Sequence, residues 1–184
     1  MWKENSSKII RAGMLLKNVP TLIPNDSSKE RFKYFPYSII ITQPCDIESH
    51  FTSLEKYEQD INLDKKYPKQ TIFQLLLCPA FDQEKFIEGT HLYDQYSVKF
   101  DQMKMKEFEK LRDLKDFRYH YIESKFQHDG LPNLIIDFKH YFTMPLSVIY
   151  ELVSINNPSY ILDHFYFIQI SDRFAHYLQR VGIP

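Results

Sequence analysis

The chain has 184 residues, 43% hydrophobic and 26% charged, with a formal net charge of −1 and a pI near 6.7. That length supports a core needing neither disulfides nor metal, and the balanced charge removes the whole-chain signature of a dedicated nucleic-acid binder while leaving a local basic face open. Four glycines exclude a glycine-rich phosphate loop, two cysteines are too few for a disulfide scaffold, and no apolar run approaches bilayer length.

The first residues, Met1-Trp2-Lys3-Glu4-Asn5, lead into no apolar stretch of the secretory type. The expectation is a cytoplasmic protein with Cys45 and Cys78 reduced, no membrane contact and no cofactor. Ile9 to Ile23 reads as one bent strand or a strand pair, with Gly13 near its start and Pro20 and Pro24 breaking it. Asn25 to Lys33 is polar and predicts a loop. Tyr37 to Thr42 holds the continuous run Ile39-Ile40-Ile41, which suits a strand covered on both faces and ended by Pro44. Glu48 to Lys69 is charged and reads as mostly loop with some helix. Thr71 to Cys78 predicts a second buried strand, closed by Pro79.

Phe81 to Tyr96 carries no clear period. Phe100 to Asp116 predicts a helix with Met103, Phe108, Leu111 and Leu114 on its apolar side. Arg118 to Ile122 alternates as a strand does, and Asp129-Gly130 marks a turn. Leu134 to Met144 predicts a strand running to a bend at Pro145. Ile149 to Val153 and Tyr160 to Leu162 read as short strands around an Asn156-Asn157-Pro158 turn. Asp163 then caps a terminal helix. Its apolar positions Phe167, Ile170, Phe174, Leu178 and Val181 follow spacings of 3, 4, 4 and 3, and Gly182 is its stop.

Strands not separated by regular helices disfavour a doubly wound parallel sheet. The expected class is α+β: a small, strongly bent antiparallel sheet or barrel, in a single domain over 1–184. Its barrel strands fall at about 9–80 and 118–162, a helical insertion at about 97–117 and a C-terminal helix at about 164–181.

Ala12-Gly13-Met14-Leu15-Leu16, Pro36-Tyr37-Ser38-Ile39-Ile40-Ile41 and Ile72-Phe73-Gln74-Leu75-Leu76-Leu77 form three successive strand elements. Gly130-Leu131-Pro132-Asn133 then leads into Leu134-Ile135-Ile136-Asp137. This order resembles the MazF/PemK toxin family over roughly half the chain. The resemblance implies an SH3-like barrel and a bacterial toxin–antitoxin or defence setting. Family enzymes carry an arginine before the second apolar run, where this chain has Tyr34, Phe35, Pro36 and Tyr37. They carry Ser or Thr at the end of the third strand, where it has Cys78-Pro79-Ala80. Both departures speak against the family's RNA-cleaving activity. The chain also resembles uncharacterised bacterial proteins with a Gln-x-Cys-Asp strand end and an Arg-Val-Gly-Leu/Ile-Pro terminus, which implies no activity.

Gln43, Cys45 and Asp46 follow a buried strand, where functional side chains often sit. A carboxylate beside a thiol raises the thiol's pKa, so Cys45 is poorly set up as a nucleophile. The structural alternative is a buried small cysteine with Asp46 capping the next turn. Cys45 and Cys78 read as lying at corresponding ends of two strands and with His50 could form a metal site, but their spacings fit no standard zinc pattern, so no metal is expected. Seven histidines form no metal signature. His120 and His140 lie in predicted strands and are candidate general bases, with Asp46 a third catalytic candidate. Alternation puts Asp137 and Lys139 on one face and Phe138, His140 and Phe142 on the other. An Asp–Lys pair there reads as solvated. Arg173 and Arg180 with Lys139 form a candidate phosphate patch, though Arg180 also suits the helix C-terminus electrostatically.

With 15 Phe and 13 Tyr, the chain has enough aromatic surface to stack bases or to form a protein interface. The absence of a basic excess favours protein contact. The expected function is a non-enzymatic accessory or interaction protein, binding a protein partner or a second copy. The alternative is a divergent endoribonuclease on single-stranded RNA, using residues around Gln43–Asp46 with His120 or His140 as base. A small-molecule or nucleotide-sensing module is a third reading.

Overall fold

The computed structural model describes residues 2–5, 9–22, 32–60, 66–125, 130–155 and 159–181. The chain runs β1 (Trp2–Asn5), β2 (Met14–Leu22), β3 (Phe32–Ile40), α1 (Pro44–Gln59) and β4 (Gln74–Asp82). Three helices follow, α2 (Gln83–Ile87), α3 (Tyr93–Tyr96) and α4 (Met105–Arg112). Next come β5 (Tyr119–Ile122), β6 (Leu134–Asp137), a 3-10 turn at Phe138–His140 and β7 (Phe142–Pro145). The chain closes with α5 (Leu146–Ile155), β8 (Ser159–Leu162) and α6 (His164–Val181).

All strand pairs are antiparallel. The order is β1-β8-β2-β3-β4-β6-β5, and β7 also pairs with β4. β1 and β5 end this path and do not pair with each other among the described residues, so the sheet is open where a barrel would close.

Alternation divides the core. Leu15, Ile39, Cys78, Leu134 and Ile136 pack with Phe167, Ile170 and Phe174 of α6 on one face. On the other, Met14, Leu16, Ile40, Leu75 and Leu77 meet Ile47 of α1 and Ile149 and Val153 of α5. Farther along, Phe35, Phe81 and Ile135 meet Phe86, Leu92, Phe108 and Leu111 from the α2–α4 region. Covering both faces is what makes Ile39-Ile40-Ile41 and Leu75-Leu76-Leu77 continuous apolar runs in an antiparallel sheet. Burying each large apolar side chain in these layers stabilises the fold by about 1.5–3 kcal/mol relative to exposure.

Gly13 opens β2 at φ +78°, and a Cβ there would meet Phe167 of α6 at 3.2 Å. The residue is therefore both a turn and a close approach of sheet to helix. Asp163 caps α6 as expected, accepting from the Phe165 N–H at 3.2 Å. The buried stripe of α6 is Phe167, Ile170 and Phe174, whereas Leu178 is 38% exposed. The readings at Gly182 and at the Asn156–Pro158 turn lie outside the described residues, as does the 25–31 part of the expected loop.

Several expectations are corrected. Pro44 does not merely stop a strand: it occupies the first turn of α1, where its missing N–H has no intrahelical partner to lose, and α1 replaces most of the expected 48–69 loop. The predicted strand at Ile149–Val153 is helix α5, because Leu146, Ile149 and Val153 share one buried helical side. The predicted insertion at 97–117 contains helix only at α4, Met105–Arg112. Pro79 lies inside β4 opposite Ser38. On its other side β4 pairs with β7 through Gln74–Leu77 and with β6 through Ala80–Asp82. Cys78 and Pro79 fall in the gap between those pairings, where a residue without an N–H is tolerated.

Candidate functional site

The predicted 134–144 strand breaks after Asp137, where Phe138–His140 form a 3-10 turn before β7 resumes beside β4. That turn overturns the expected alternation, since His140 comes back over Asp137 instead of facing away. Asp137 is fully buried. Arg118 grips it with two charge-assisted bonds, Nε to Oδ1 at 2.9 Å and Nη2 to Oδ2 at 2.7 Å. The Lys139 backbone N–H donates to Oδ1 at 2.9 Å. His140 Nδ1 lies 2.7 Å from Oδ2. The expected solvated Asp137–Lys139 pair does not form as such: the Lys139 side chain is exposed, and Asp137 is paired with Arg118 and His140.

Burial pushes the Asp137 carboxyl up, but the bonds from His140 and Arg118 outweigh it and hold the carboxyl below its ordinary value. The group is an ionised acceptor, so Nδ1 of His140 is the donor of this bond, and Nε2 is the ring nitrogen left for other partners. The His140 and Arg118 side chains are 29% and 31% exposed. Their partner is sealed, while they themselves reach solvent. Tyrosines surround them. The Tyr96 ring lies 6.4 Å from the His140 ring at 29°, and the Arg118 guanidinium sits 4.6 Å from the Tyr119 ring centre. Tyr141 is exposed next to His140 and packs edge-on to Phe174 at 5.4 Å.

The remaining candidates are placed elsewhere. His120 is buried on β5, and burial, with Arg173 adding to it, lowers its pKa to about 3. It is a neutral core imidazole beside a groove of about 390 Å³, not a partner of Asp137. His91 is held neutral too, its pKa lowered to about 4 by burial among Phe81, Phe86 and Phe100.

Of the expected phosphate patch of Lys139, Arg173 and Arg180, two cations are already engaged within the fold. Arg173 spends its guanidinium on the carbonyls of Leu114, Asp116 and Tyr119, tying α6 to the start of β5. Arg180 lies 3.6 Å from the centre of the Phe117 ring.

At the end of β3, Gln43 occupies the N-cap position of α1 without a side-chain cap, and Cys45 and Asp46 are exposed in the first turn. Cys45 is therefore not the buried cysteine expected, and Asp46 is a first-turn residue, not a cap. The Cys45 thiol lies 3.6 Å from Gln43 Oε1 and 3.9 Å from Asp46 Oδ1. Cys78 is buried in mid-strand opposite Ile39, its thiol pushed up by burial and by Asp137. The two cysteines thus do not occupy matching strand ends. His50 is buried in α1, and its Nδ1 accepts the Ile72 N–H at 3.0 Å. Among the described residues no group of three His, Cys, Asp or Glu is placed to hold a metal ion.

Sequence reasoning singled out Asp137, Lys139 and His140 and missed Arg118 and the tyrosines. The signal was present in the expected 118–122 strand: pairing Tyr119 with Asp137 puts Arg118 beside the break. No helix among the described residues is long and apolar enough to cross a membrane. No family model, no curated protein and no solved structure matches the chain.

Proposed function

We propose that the Arg118–Asp137–His140 patch is an acid–base site acting on the phosphodiester backbone of single-stranded RNA. The observation that carries this reading is the 2.7 Å contact between His140 Nδ1 and the buried Asp137 carboxylate. An imidazole fixed in one tautomer by a carboxylate, with Nε2 free as a base, is the arrangement that removes a hydroxyl proton near neutral pH. In the proposed step Nε2 takes the 2′-hydroxyl proton and the 2′-oxygen bonds to phosphorus. The P–O5′ bond breaks, and the 5′-oxygen leaves with a proton from water. The products are a 2′,3′-cyclic phosphate and a 5′-hydroxyl.

Arg118 uses Nε and Nη2 on Asp137, and its Nη1 makes no hydrogen bond to the described residues, so it can meet a phosphate oxygen. Tyr96 and Tyr141 are exposed beside this cluster, and aromatic side chains of this kind stack bases. The Arg118 and His140 side chains reach solvent at 31% and 29% exposure. An open patch suits an extended polymer better than a small enclosed substrate. The strand order after Gly13 is what the MazF/PemK resemblance rests on, and a toxin–antitoxin or defence setting follows from that resemblance alone.

A second reading is the non-enzymatic interaction protein. It is favoured by Phe73, Met105 and Phe165, each 71% exposed, which are apolar groups of the kind that protein contacts cover.

The deciding experiment incubates the purified protein with mixed-sequence single-stranded RNA, with and without chelator. Cleavage ending in 2′,3′-cyclic phosphate, reduced about 100-fold or more in a folded His140→Ala variant, is the expected result. Intact RNA with the wild-type protein, or equal cleavage by both proteins, would leave the interaction reading in its place.

A further inference from the structure

We propose that Arg173 is a positioning residue for the His140 site: from α6 it holds the segment that carries Arg118, and so fixes where Arg118 meets Asp137. This role rests on the reading of that cluster as an acid–base site.

Arg118 stands just outside regular structure. α4 ends at Arg112 and β5 begins at Tyr119. The sheet therefore holds the Arg118 backbone from one side only, through its carbonyl, which accepts the Phe138 N–H at 3.0 Å. The Arg118 N–H donates to Asp116 Oδ1 at 2.8 Å, a partner in the same connecting segment. Leu114 in that segment has φ +59°, a left-handed conformation that is unfavourable for a residue with a Cβ. Such a conformation persists only where the surroundings hold it.

Arg173 provides that hold. Its Nη1 donates to the Leu114 carbonyl at 2.7 Å, and its Nη2 donates to the carbonyls of Asp116 and, at 3.0 Å, Tyr119. One planar guanidinium thus joins three carbonyls that bracket Arg118 in the chain. Arg180, about two turns farther along α6, lies 3.6 Å from the ring centre of Phe117 in the same segment.

The residue after Arg173 serves the other half of the site. Phe174 packs on Phe138 at 5.6 Å and on Tyr141 at 5.4 Å between ring centres. Phe138 opens the 3-10 turn that brings His140 over Asp137, and Tyr141 follows it. Adjacent side chains of one helix therefore set the spacing of Arg118 and His140 about the Asp137 carboxylate. The two bonds from Arg118 to Asp137 measure 2.9 and 2.7 Å, and a shift of about 1 Å takes either out of hydrogen-bonding range.

Nitrogen-15 NMR reads this arrangement without RNA. The Arg118 Nε–H, bonded to Asp137 Oδ1, is expected to exchange slowly with water in the wild-type protein and about tenfold faster or more in Arg173→Met. Arg173→Lys keeps the charge and loses the fork. It is expected to fall between the two, and it serves if the methionine variant does not fold. In RNA cleavage, Arg173→Met is expected to lower kcat about tenfold. Arg118→Met/Arg173→Met is expected to be no slower than Arg118→Met alone, because both substitutions remove one shared interaction. A general weakening of the fold would instead multiply the two losses. The proposal is overturned if Arg118 Nε–H exchange is the same in the wild-type protein and the folded variants, or if the two losses multiply. Intact RNA with the wild-type protein, together with faster Arg118 Nε–H exchange in Arg173→Met, would overturn the RNA reading and keep Arg173 in its positioning role.

Discussion

Two segments of this chain begin alike and end differently. Ile39-Ile40-Ile41 runs into Thr42–Asp46, and Leu134-Ile135-Ile136 runs into Asp137–His140. In the first, Pro44 starts a helix, the chain leaves the sheet, and Gln43, Cys45 and Asp46 end up exposed. Thr42 stays at the boundary, its Oγ1 accepting the Leu76 N–H at 2.7 Å. In the second, one 3-10 turn intervenes and the chain returns to the same neighbour, β4. A carboxylate at the point of departure is then sealed under its own turn. It has to be paired, because an unpaired buried charge costs several kcal/mol. The polar residues that face water are free to meet a ligand, and those trapped in the sheet are committed to one another. Only the outer partners of the trapped cluster, His140 and Arg118, reach solvent.

The sharpest test of this contrast removes Arg118. Arg118→Ala leaves Asp137 buried with less compensation, and urea unfolding is expected to show a loss of about 3 kcal/mol. The double variant Arg118→Leu/Asp137→Leu is expected to lose less than the single one, since replacing both partners removes the charge that needed pairing. A single variant as stable as wild type would show that the cluster does not hold the turn.

Acid titration gives the next effect. Asp137 has its folded pKa depressed, so its contribution is present above the unfolded value of about 4 and is lost as pH falls through the folded one. His91 and His120 have folded pKa values lowered to about 4 and about 3. The unfolded chain therefore binds more protons than the folded one below about pH 6.5, and stability falls from there downward. Denaturation curves across pH 7 to 3 are expected to show an onset near 6.5 and a loss that continues below about 4, where Asp137 takes over from His91. His91→Phe/His120→Phe should reduce the upper onset, and Asp137→Asn should remove part of the lower one.

The smallest effect belongs to the exposed segment. Asp46→Asn removes one charge from the first turn of α1 and is expected to cost about 0.5 kcal/mol. It should leave any His140-dependent RNA cleavage unchanged, which an RNA cleavage assay on the folded variant reads directly.

Much of the fold was legible because local patterns agreed with it. The apolar runs marked β3 and β4, the 3-4-4 spacing marked α6, and Asp163 marked its start. Ile149–Val153 reads as a strand because Ile149 and Val153 are strand formers by propensity, and only packing against β2 and β7 makes the segment helical. The site was half legible: Asp137 and His140 stand out as polar residues in an apolar stretch, but strict alternation separates them.

The sequence by itself determined the mixed class, the two-sided burial of the central strands and the two places where polar residues interrupt them. Those features follow from local spacing, which every conformer of the chain shares. The tertiary structure alone decided that Asp137, Arg118 and His140 meet, and that Cys45 and Cys78 do not occupy matching strand ends. The segment between β5 and β6 is long enough to allow more than one register, and the pairing Tyr119 with Asp137 is chosen by burial of Ile122, Leu134 and Ile136 against α6. Once that register is set, Arg118 has a buried carboxylate beside it, and the 3-10 turn brings the histidine to the other side.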